Sequence, residues 1–116
     1  MTDLRRYVLL LDLKDDADLI AEYEAHRRPG GVWPEILTSI RDARIRDRTI
    51  YRWGPRLVMM MEVDQRFSFD AKAAADAANP AVVRWEELTG RYQQPLPGSP
   101  PGAKWQLAAP IFELGV

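Results

Sequence analysis

A chain of 116 residues without cysteine must fold on an apolar core alone, and its 47% hydrophobic content is enough for one domain spanning residues 1–116. The missing cysteines exclude disulfides, thiolate metal sites and a cysteine nucleophile, and a lone histidine excludes a multi-histidine metal centre within the chain. With 16 basic and 17 acidic residues the net charge is −1, which offers no field for nucleic acid despite a local basic cluster between Arg41 and Arg56. The apolar run after the charged start, Tyr7 to Leu11, is too short for a signal peptide or a membrane span, so a soluble cytoplasmic protein is expected.

Tyr7-Val8-Leu9-Leu10-Leu11-Asp12-Leu13 is apolar at nearly every position, as expected of a strand covered on both faces. Lys14-Asp15-Asp16 closes it and supplies an aspartate to cap a helix running to about Arg28, where Pro29-Gly30-Gly31 stops it. Pro34 suits the first position of a second helix, and Ile36, Leu37, Ile40 and Ala43 give that helix one apolar side. Arg44 to Trp53 reads as a strand with Ile45, Asp47, Thr49, Tyr51 and Trp53 on one face and Arg44, Arg46, Arg48, Ile50 and Arg52 on the other. Gly54-Pro55 turns the chain into Leu57 to Val63, an antiparallel hairpin partner. Two helices follow, Phe67 to Ala78 and about Ala81 to Tyr92, separated by Asn79-Pro80. After the loop Pro95 to Gly102, Trp105 to Leu114 reads as a last strand, interrupted at Pro110.

This order is a split β-α-β topology, so the fold expected is an α+β, ferredoxin-like sandwich. Its helices lie on one sheet face. Leu9, Leu11 and the Met59–Met61 run would leave the other face too apolar for solvent, which predicts a second copy packed sheet to sheet.

The candidate chemistry centres on Tyr23 to Glu35. Tyr23 lies one helical turn before both His26 and Arg27, and either can share its face. Trp33-Pro34-Glu35 has a plain reading as a helix start with a carboxylate at the positive end of the dipole. It also has a functional one, because the C–H faces of a sugar pack on an indole. The arginine face of the second strand is either a solvated edge or, if it looks inward, a polar wall that aims Arg46 and Arg48 at a ligand. Met59 to Met61 read as core. No phosphate loop, nucleophile elbow or metal motif is present.

Tyrosine and histidine one turn apart, a short loop and Trp33-Pro34-Glu35 together resemble the L-rhamnose mutarotase family. The longer loop Arg28-Pro29-Gly30-Gly31-Val32 resembles the subgroup acting on L-fucose. Ile50-Tyr51-Arg52, Arg84-Trp85-Glu86-Glu87 and Gly102-Ala103-Lys104-Trp105 follow in the family's order across nearly the whole chain. The resemblance implies a dimeric α/β barrel that interconverts the α and β anomers of a 6-deoxy aldopyranose by acid–base chemistry, without cofactor. In this chain proton transfer would fall to His26 with Tyr23, and an orienting role to Glu35. Trp33, Arg27, Arg48, Trp85 and Glu86 would hold the monosaccharide, with neither nucleic acid nor membrane as a partner. The sequence departs from the family at three of these positions: Arg27 stands where the family has its histidine, Arg48 where it has a sugar-binding tyrosine, and Glu86 in place of a second aromatic ring. A non-catalytic sugar-binding relative and a cofactor-free oxygenase or isomerase on the same barrel are the other functions the residues allow.

Overall fold

The structure, a computed structural model, describes residues 4–115. Chain order is β1 (Arg5–Leu13), α1 (Ala17–Arg27), α2 (Pro34–Asp42), β2 (Ile45–Trp53), β3 (Arg56–Val63), α3 (Phe69–Ala77), α4 (Pro80–Gly90), β4 (Gln93–Gln94) and β5 (Gln106–Ala108). The apolar run of β1 becomes the central strand. β3 lies antiparallel on one edge of it, with Leu9 opposite Met59 and Leu11 opposite Leu57, and β2 lies antiparallel on the far side of β3. The other edge of β1 is shared, since β4 pairs with Asp12 and Leu13 while β5 pairs with Val8 to Leu10. The order β2-β3-β1-β4 is that of a ferredoxin-like α+β fold.

Side chains alternate across a strand, and the two faces here differ in cover. Leu9, Leu11, Leu13, Leu57, Met59, Met61 and Val63 are buried. Ile40 and Ala43 pack against one end of this layer, Ile20 and Tyr23 of α1 against the other, and each fully buried side chain contributes about 1.5–3 kcal/mol. Of the residues expected on the face that needs a partner, only Met60 therefore lies there. Leu9, Leu11, Met59 and Met61 point at the helices, and the open face carries Val8, Leu10, Val58 and Met60, half-buried, with exposed Tyr51 beside them.

Local chemistry accounts for the helix boundaries. The Asp16 carboxylate accepts from the amides of Asp18 and Leu19, both at 3.0 Å, and caps α1. Ser68 caps α3 through the Ala71 amide at 3.2 Å, so that helix starts two residues later than its composition suggests and leaves Phe67 in the core. The last strand is shorter than expected: only Gln106–Ala108 pairs with β1, and Ile111, Phe112 and Leu114 beyond it are exposed.

The alternation expected for β2 is broken by a bulge. Ile45 sits opposite Val63 and Asp47 opposite Glu62, so Arg46 is the extra residue between them. Ile45 is thereby turned into the core with Val63, onto the same side as Arg48 and Ile50, while Asp47, Thr49 and Tyr51 face outward. Arg44, just before the strand, has a left-handed backbone (φ 74°). Its carbonyl accepts from the Asp64 amide at 3.1 Å, and Arg46 Nη2 donates to the buried Asp64 carboxylate at 2.9 Å. Burial pushes the Asp64 carboxyl up, but the Arg66 amide and the charges of Arg46 and Arg44 outweigh it and hold the group below its ordinary value.

Candidate functional site

Between the covered sheet face and the helices lies a cavity of about 430 Å³. That is within the range of about 300–1,000 Å³ common to small-molecule sites. Leu9, Met59, Met61 and Arg48 form the sheet side; Ser39 and Ile40 come from α2, Lys72 and Asp76 from α3, Trp85 and Thr89 from α4, and Gln93 from β4. Arg27 enters from the end of α1.

The Tyr23 ring is buried against Leu13 and Leu57, which leaves its hydroxyl as the polar tip of an apolar plug. Arg27, one turn on, donates from Nη2 to that hydroxyl at 3.0 Å. Its guanidinium carbon lies 5.2 Å from the centre of the Tyr23 ring and 5.4 Å from that of Trp85. The cation is thus packed between two aromatic systems, which lowers the cost of taking it out of water.

Arg48 is different. Its strand neighbours are all matched by carboxylates: Arg46 by Asp64, Arg52 by Glu24, and, on β3, Arg56 by both oxygens of Asp12 at 2.7 and 3.1 Å. Among the described residues Arg48 has no ion-pair partner. Burial, and then the charge of Arg27, push it down to about 10, against smaller opposing contributions from Tyr23 and Asp76. The buried Nε atoms of Arg27 and Arg48 and the Oε1 of Gln93 have no hydrogen-bond partner within the described protein. Two donors and an acceptor of this kind suit a ligand carrying several hydroxyl groups.

Of the residues singled out in the sequence, Arg27, Arg48, Trp85 and Glu86 line the cavity, and Tyr23 reaches it through Arg27. Arg46 does not: at the bulge it pairs with the buried Asp64 carboxylate, and its own side chain is half exposed. His26, Trp33 and Glu35 are also outside the lining. The His26 ring packs beside Trp85 and Tyr92, at centroid distances of 6.4 and 5.8 Å, and Trp33 packs edge-on against Trp85 at 5.0 Å. Glu35 is exposed in the first turn of α2. Six polar residues of the cavity escaped sequence reasoning: Lys72, Asp76, Gln93, Ser39, Thr89 and Lys104. The first two carried a usable signal, an opposite-charge pair four residues apart inside a run of alanines.

A ferredoxin-like sheet whose helices enclose a cavity lined by an indole, apolar side chains and unmatched guanidinium donors defines an α+β protein built to hold a small hydroxylated molecule. No helix among the described residues is long and apolar enough to cross a membrane. The chain belongs to the L-rhamnose mutarotase family, whose pattern it matches over residues 6–114. It is similar to an L-fucose mutarotase of Xanthomonas campestris, with 49% identity over 111 residues, covering 96% of this chain and 89% of that protein. In three dimensions it is similar to an L-rhamnose mutarotase from Formosa agariphila, with a TM-score of 0.65, 20% identity, and 95% and 98% of the two chains covered. It is equally similar to tetracenomycin F2 cyclase from Streptomyces glaucescens, with a TM-score of 0.67, 15% identity, and 97% and 98% covered. At these identities the two structures speak for the fold alone.

Proposed function

We propose that this protein is a sugar mutarotase that interconverts the α and β anomers of a 6-deoxy aldopyranose of the L-fucose type, working without a cofactor as a homodimer. The observation that carries the reading is the cavity. It presents a tryptophan for the C–H face of a pyranose and unmatched donors on Arg27 and Arg48 for its hydroxyls. The matched family, and the identity with an enzyme named for L-fucose, support the same assignment. The reaction opens the ring to the aldehyde and closes it on either face. It requires one group to take the proton of the anomeric hydroxyl and another to give one to the ring oxygen, with no metal or redox partner.

Saturation-transfer NMR on equilibrated L-fucose tests this, because it reports binding and anomer exchange together. The expected result is exchange between the anomeric signals that is faster with protein than in buffer, and faster for L-fucose than for L-rhamnose. Unchanged exchange for both sugars would overturn the assignment. One observation favours a second reading, a sugar-binding protein without catalysis: an arginine, which is not a general acid–base side chain, stands at position 27, where the family has histidine. Binding without faster exchange is the outcome that selects it.

A further inference from the structure

The helix α3 turns two charged side chains inward. Ala71, Ala73, Ala74, Ala75 and Ala77 are exposed, and no residue of the helix is fully buried. The two residues most withdrawn from solvent are two of its three charged ones, Lys72 and Asp76, with side chains 24% and 15% exposed. Four positions apart, they share a face and form an ion pair. That face looks into the cavity, and both side chains line it. Phe69, Ala73 and Ala77 line the cavity on that same face, and lysine and aspartate placed among them carry a desolvation penalty that alanine would not.

The remaining charged groups of the cavity do not supply the same chemistry. Arg27 and Arg48 keep their protons. Glu86 is exposed, and Lys104 at the rim donates to the Glu86 carbonyl at 3.4 Å. Asp76 and Lys72, by contrast, pair a proton acceptor with a proton donor, and each has hydrogen-bonding capacity left after their mutual contact. Asp76 is also near enough to Arg48 for its charge to be felt there, which places it on the side of the donors that would hold the sugar.

We infer that Asp76 and Lys72 are the catalytic proton-exchanging pair of this cavity, an inference that rests on the mutarotase reading. The Asp76 carboxylate takes the proton of the anomeric hydroxyl as C1–O1 becomes a carbonyl. The bond between C1 and the ring oxygen breaks, its electron pair leaves with the ring oxygen, and that oxygen receives a proton from Lys72 Nζ. The open-chain aldehyde then faces a neutral acid and a neutral amine. Rotation about C1–C2 presents the opposite carbonyl face. The hydroxyl attacks, returns its proton to Lys72, and the new anomeric oxygen takes the proton from Asp76. Protons and charge balance over the cycle, and no other reactant takes part.

The test is anomer exchange of L-fucose by saturation-transfer NMR on the full chain. Wild type without faster exchange removes the mutarotase reading and this inference with it. Given an active wild type, Asp76→Asn is expected to lose on the order of a hundredfold or more in exchange while still binding L-fucose. Asp76→Glu is expected to recover part of that loss. Lys72→Arg keeps the charge and the contact with Asp76 but holds its proton, and is expected to lose at least about tenfold. A purely structural pair would tolerate that change. Asp76→Asn within threefold of the wild-type rate overturns the inference and leaves the mutarotase reading standing. If Asp76→Asn fails to fold by circular dichroism, Lys72→Arg at the wild-type rate overturns it alone.

Discussion

Arg48 sits where stability alone would not put it. Its guanidinium is cationic at neutral pH, and burial and Arg27 depress its folded value to about 10. A cation whose folded value lies below its unfolded one opposes folding at every pH beneath that value, and the opposition fades only as pH rises past about 10. At pH 7 the penalty is at most on the order of 3 kcal/mol. Arg48→Met, similar in length and uncharged, is therefore expected to raise Tm by several degrees and to weaken L-fucose binding at least tenfold. Differential scanning calorimetry and ligand-observed NMR would read the two effects, and a lowered Tm would contradict the account. Such a residue is only partly legible in a sequence. The arginine-rich strand was visible, but which arginine would lack a carboxylate depended on Asp64, Glu24 and Asp12, which come from three other segments. The same dependence hid His26, whose ring turns toward Trp85 and Tyr92, whereas its neighbour Arg27 enters the cavity.

At the scale of elements, apart from the two-residue β4, the order of strands and helices, the hairpin and the capping aspartate were all readable, because each rests on local signals. The bulge at Arg46 was not. It depends on the left-handed turn of Arg44 and on the reach of Asp64, and it reverses the facing of Ile45 relative to Tyr51. The loop between α1 and α2 shows how tightly an element boundary holds the site. A Cβ on Gly31 would lie 2.7 Å from the Ala25 carbonyl oxygen and 2.9 Å from that of His26, so the loop returns directly over the last turn of α1. These are backbone atoms and cannot step aside. Gly31→Ala is expected to cost about 1–3 kcal/mol and to loosen the end of α1 that carries Arg27. Thermal melts and the exchange rate should fall together, and a wild-type Tm would show that the loop relaxes freely.

At the scale of the molecule, the open sheet face is the surface the proposed homodimer would use. Met60 lies at its middle, between Val8 and Thr49 on the adjacent strands, and Tyr51 and Trp53 extend it, 53% and 86% exposed. A twofold partner covering this face gives the homodimer we propose. Sedimentation at micromolar concentration is expected to show twice the 13.3 kDa chain mass, and Met60→Asp to reduce it to one chain. A wild-type monomer would refute the barrel assembly. The thin apolar cover of α3 has a further result for how the molecule breathes. With its alanines exposed to solvent or to the cavity and no fully buried residue, and with packing chiefly against α4, little apolar area is released when this helix swings away. Its local opening free energy must then sit well below that of the central strands. Amide hydrogen exchange is expected to label α3 long before β1 and β3, and saturating L-fucose to slow that labelling. Equal protection across the helix and the strands would mean that α3 opens only when the whole protein unfolds.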